Sequence, residues 1–170
     1  MSWLTIALRV VHIGAGVFWA GATFTFAGFI EPTADAAGPV GSHFIQRLAG
    51  SRYVPAMMIA GLLAVGAGIW LFSIDSGGFQ SAFMGSRLGV TLSIGGLCGL
   101  LAAVFGFGVQ GRSAKRMQAI TKVIQGQAGG STPEQAAQLK AIQQRLRRTG
   151  RLTALLLGIT VVCMAAARYL

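Results

Sequence analysis

Arg9, His12, Gly16, Trp19 and Thr23 recur at spacings of three and four in a stretch that is otherwise apolar. A helix through them gathers a guanidinium, an imidazole and an indole along one stripe. A neutral imidazole can hold a metal or a haem iron through one ring nitrogen, and a guanidinium can grip an anionic group with paired N–H donors. His12 is therefore the candidate ligand, with Arg9, Trp19 and Arg87 as accompanying candidates. The alternative for His12 is a purely structural one, a hydrogen bond to a neighbouring helix worth ~1 kcal/mol. Either way the stripe must face protein, because an ionisable group turned to lipid costs several kcal/mol.

The remaining polar groups narrow the chemistry. Arg9, Arg87 and Arg168 fall towards one end of their apolar stretches and could together hold a lipid phosphate or a propionate. The four acids, Glu31, Asp35, Asp75 and Glu134, all lie outside the apolar interiors. Proton or ion translocation normally uses acids within the span, so that class is disfavoured and no catalytic residue is assigned. A haem with two axial histidines would need a second intramembrane His, and His43 lies in a polar connection. A copper path would want clustered soft ligands, whereas Met57, Met58, Cys98 and Cys163 are scattered. His12 is the one metal candidate, and haem or copper the cofactors it could take.

Four apolar runs must position these residues, at about 3–30, 53–72, 88–109 and 152–167. Each can cross a hydrocarbon core of ~30 Å as a helix of ~20 residues. Helices are expected rather than barrel strands, since the runs lack alternation and lipid leaves no outside partner for backbone groups. The predicted fold is all-α: a polytopic membrane protein with four transmembrane helices in an antiparallel bundle, 1–170 forming a single membrane domain. The first run is too long for a signal-peptide core and is taken as a retained helix.

Nine of the fourteen Lys and Arg residues fall in the segment 111–151. In a soluble chain the net charge of +10 would raise nucleic acid as a partner; between apolar runs it is a topology signal, and nucleic acid is excluded. Basic loops stay cytoplasmic, so the expectation is the bacterial cytoplasmic (inner) membrane with both termini periplasmic. Met117, Ile120 and Ile124, then Leu139, Ile142 and Leu146, recur at helical spacing around Gly126-Gln127-Ala128-Gly129-Gly130. Thr132, Pro133 and Gln135 read as a capping box. The third and fourth helices should thus continue as a cytoplasmic hairpin over 111–151, with Arg145, Arg147, Arg148 and Arg151 near enough to bind anionic lipid. Ser42 predicts the cap of a short interfacial helix ending at Gly50. Gly16, Gly85, Gly89, Gly95 and Gly99 are the expected helix-packing glycines, since small residues let membrane helices approach closely.

The run Leu8-Arg9-Val10-Val11-His12-Ile13, with Trp19-Ala20-Gly21 after it, resembles the opening of small membrane proteins of the CopD copper-resistance type and of the HemJ-type protoporphyrinogen oxidases. The resemblance implies a four-helix scaffold, singles out His12, and sets Arg87 where HemJ-like proteins carry a lysine at the start of a later helix. Glycine-rich faces, a basic hairpin and poverty in catalytic groups together indicate an accessory or assembly subunit beside a larger membrane complex, of the respiratory or photosynthetic kind. The alternative is a tetrapyrrole- or copper-handling protein that uses His12.

Overall fold

The computed structural model describes residues 2–127 and 130–170. The centre of the hairpin turn, Ala128-Gly129, lies outside the described residues. Among those described there is helix and no strand. Four continuous helical rods are long and apolar enough to cross a membrane: Trp3–Ala36, Tyr53–Asp75, Arg87–Gln125 and Pro133–Tyr169.

The first rod comprises α1 (Trp3–Thr25), a π-helical turn (Phe26–Ile30) and α2 (Glu31–Ala36). Ser2 caps it, its hydroxyl accepting from the Thr5 N–H at 3.2 Å. The rod runs six residues beyond the expected end at residue 30. Pro32 should interrupt a helix, since it has no N–H and its ring crowds the carbonyl four residues back. The wider π turn just before it opens that space. After α2 the chain reverses at Gly38 (φ +60°), and α3 (Pro39–Ala49) starts there rather than at Ser42. Proline at the first helical position fixes the start, and the Ser42 hydroxyl donates back to the Gly38 carbonyl at 3.2 Å. The Gly50 terminus agrees with the sequence expectation.

Next come α4 (Tyr53–Asp75), the single turn α5 (Ser81–Met84), and the third rod, made of α6 (Arg87–Ala103), a second π-helical turn (Val104–Gln110) and α7 (Gly111–Gln125). Last is α8 (Pro133–Ala166), closed by a 3₁₀ turn at Ala167–Tyr169. The expected capping box is present: Thr132 Oγ1 accepts from the Gln135 N–H at 3.2 Å and Gln135 Oε1 from the Thr132 N–H at 2.9 Å. Thr132→Ala should cost about 1 kcal/mol, read as local loss of amide protection in the first turn of α8.

Packing is densest between α1 and α4 and between α6 and α8, and the two pairs meet through α4–α6 and α1–α8. The buried centre is made mostly of small residues: Ala20, Ala60, Ala64 and Ala102 beside Trp19 and Leu157. Large apolar side chains point outward instead, Val10 at 67%, Val17 at 68%, Leu62 at 60% and Val162 at 67% exposure. A water-soluble bundle would bury the large residues and expose the polar ones. This arrangement suits lipid, where close approach of backbones replaces hydrophobic drive between helices.

Candidate functional site

Three members of the α1 stripe, Arg9, His12 and Trp19, meet α4, whereas Gly16 has open space beyond its Cα and the Thr23 hydroxyl donates to the Trp19 carbonyl of its own helix. Thr5, His12, Trp19 and Phe26 stand at heptad spacing, the repeat of a helix–helix seam; Thr5 and Trp19 are buried and His12 is half-buried. Contacts descend α4 as they ascend α1. Arg9 pairs with Asp75 at 3.5 Å, and His12 Nδ1 lies 2.7 Å from the Ala64 carbonyl oxygen. Trp19 packs at Gly61. The Tyr53 hydroxyl donates to the Ala22 carbonyl at 3.2 Å while its ring stacks on Phe26.

The imidazole geometry fixes its tautomer. A carbonyl oxygen only accepts, so Nδ1 carries the proton and donates it. That leaves the lone pair of a neutral ring on Nε2, which has no hydrogen-bond partner among the described residues. The Cε1–Nδ1 edge of the ring lies against Gly68, where a Cβ would come within 2.8 Å of His12 Cε1 and 3.0 Å of Nδ1. Only glycine leaves that room. Trp19, by contrast, is 5% exposed and stacked on Phe107 at 5.7 Å. It fills the core, and the second π-helical turn is what carries Phe107 to it.

Arg9 has a carboxylate partner, which the sequence reading had not paired with it. Asp75 ends α4 at the same level where Arg9 lies on α1, an antiparallel register no single-chain pattern displays. Arg87 opens α6 behind the Ser86 cap and is exposed, as is Arg168; neither enters a salt bridge among the described residues. Nor does any group of three His, Cys, Asp or Glu side chains gather among them.

No family model, curated protein or solved structure matches this chain.

The glycines divide by what they meet. A Cβ at Gly95 would lie 2.9 Å from Cys163 Cβ, and one at Gly99 3.5 Å from Thr160 Cγ2, so both sit against α8. Thr160, which carries no sequence signal of its own, joins that seam: its hydroxyl proton is shared between the Leu156 carbonyl of its own helix at 2.9 Å and the Gly95 carbonyl at 3.0 Å. Lower down, Gln110 Nε2 donates to Thr153 Oγ1 at 3.0 Å. Gly89 instead abuts the Phe83 carbonyl of α5, Gly85 ends α5 outside the rod, and Gly16 has open space beyond its Cα. At the hairpin end, Arg147 forms an ion pair with Asp35 of α2. Arg147 and Arg151 also lie within electrostatic reach of Glu31. Arg147, one of the expected lipid-binding set, is therefore turned towards a protein carboxylate.

Proposed function

We propose that this chain is a non-catalytic accessory or assembly subunit of the bacterial cytoplasmic membrane, an antiparallel four-helix bundle packed beside a larger membrane complex. The carrying observation is that four polar groups of the spans reach neighbouring helices: His12 to Ala64, Arg9 to Asp75, Thr160 to Gly95 and Gln110 to Thr153. They lock seams, and large apolar side chains are left for lipid and for a companion. Purification from the native membrane in mild detergent, followed by mass spectrometry, should return a membrane protein at fixed stoichiometry. Recovery of the chain alone over a range of mild detergents would overturn the reading.

A second reading, a tetrapyrrole- or copper-handling protein, is favoured by one specific feature. Ligating histidines commonly donate the other ring N–H to a backbone carbonyl, which orients the ring and raises its basicity, and His12 makes such a bond. A Soret band in the purified protein, or stoichiometric copper, would select this reading.

In both, the basic segment is taken as cytoplasmic and the termini as periplasmic. Ser76 is a poor position for a label, being 2% exposed, whereas Gln80 and Ser131 are exposed. With Cys98 and Cys163 replaced by alanine, Gln80→Cys should react first with an impermeant thiol reagent in intact cells, and Ser131→Cys only after permeabilisation. Ser131→Cys reacting first would invert the topology.

A further inference from the structure

The basic residues of 111–151 do not form one surface. On one side of α8, Arg147 meets Asp35. On another, Arg145 and Arg148 line an open cleft of about 320 Å³ with Ala141 and Gln144. An adjoining cleft of about 230 Å³ shares Ala141 and Arg145 and adds Arg116 of α7 and Gln138. Among the described residues no carboxylate lies within salt-bridge distance of Arg116, Arg145 or Arg148. Three arginines line these two adjoining open clefts, joined through Arg145 and Ala141, and none of the three is in a salt bridge among the described residues.

Depth identifies the kind of anion. The fourth apolar run begins at Leu152, four residues after Arg148 and seven after Arg145, or ~6 and ~10 Å at 1.5 Å per residue. Arg116 lies seven residues beyond Val109, the end of the third run, again ~10 Å. The headgroup layer occupies roughly 5–8 Å on each side of the hydrocarbon, and Arg side chains reach back into it. Guanidinium forks match phosphate oxygens.

We propose that Arg116, Arg145 and Arg148 form a site for the phosphate of an anionic phospholipid headgroup in the leaflet on the hairpin side, with Gln144 as a neutral donor. The site requires the chain to lie in a bilayer and is independent of whether it has a protein companion, so failure of one reading leaves the other standing.

The test is native mass spectrometry of the purified full-length chain titrated with phosphatidylglycerol and, separately, phosphatidylcholine. The wild type should retain phosphatidylglycerol preferentially. Each basic residue near an anionic leaflet is worth roughly fivefold in affinity, so the triple variant R116Q/R145Q/R148Q should weaken retention at least tenfold. R147Q/R151Q, at positions that line neither cleft and with Arg147 already paired to Asp35, should change it less than about twofold. Equal losses in the two variants would reduce the effect to bulk positive charge and overturn the site, as would unchanged retention in the triple variant. Full displacement of the lipid by millimolar inorganic phosphate would show a site for a free anion and overturn the headgroup assignment.

Discussion

Gly61→Ala should destabilise the bundle by roughly 1–3 kcal/mol, the range for overpacking a filled interior. A Cβ there would fall 2.3 Å from Phe107 Cζ and 3.2 Å from Trp19 Cε2. Neither ring can yield freely: Trp19 is buried in the core, and Phe107 is stacked on it. Accommodation must come from opening the stack or shifting the π-helical turn at Val104–Gln110. The opposing effect is alanine's higher helix propensity, up to about 1 kcal/mol over glycine, so the clash should win. Gly66 on the same helix has nothing within 4 Å of its added Cβ, and Gly66→Ala should be neutral or stabilising. Detergent-denaturant unfolding reads both variants. Trp19 emission, with Trp3 and Trp70 replaced by phenylalanine, should change in Gly61→Ala alone. Equal stability of the two variants would mean that the α1–α4 seam is looser than its contacts imply.

How far the sequence discloses this seam depends on the kind of signal each residue carries. His12 and Arg9 stand out because the surroundings are apolar and polar side chains there must be accounted for. Their partners do not. Ala64 contributes a backbone carbonyl and Gly68 an absence, and neither has a side-chain signature. The four spans are legible from apolar run length, and the continuation of the third rod to Gln125 from the Met117, Ile120 and Ile124 stripe, but the first rod outlasts its run at Ala36, because helix continuation through polar sequence depends on tertiary support. The π-helical turns are invisible, since one wider turn alters neither composition nor apolar length. Arg147 reads as lipid-facing by position along the chain; its direction around α8 is set by Asp35, more than a hundred residues away in sequence.

The second large effect concerns His12 and Gly68, and it separates a structural histidine from a ligand. Gly68→Ala places a Cβ 2.8 Å from His12 Cε1 while Nδ1 is tethered at 2.7 Å to the Ala64 carbonyl. The ring must tilt away, losing a membrane hydrogen bond of ~1 kcal/mol on top of an overpacking cost of roughly 1–3 kcal/mol. In a His12→Ala background the obstruction is gone, and Gly68→Ala should become neutral or stabilising. The double-mutant cycle should therefore give a coupling of about 1–3 kcal/mol, within the range for residues in direct contact. Additive effects would show that the imidazole does not rest against Gly68 in the membrane. The same four proteins carry the functional decision. If Nε2 holds a metal or a haem, His12→Ala abolishes the absorbance and Gly68→Ala shifts it, because turning the ring about a broken Nδ1 tether changes the ligand's orientation and basicity. If the histidine only joins two helices, all four proteins are colourless and copper-free, and differ in stability alone.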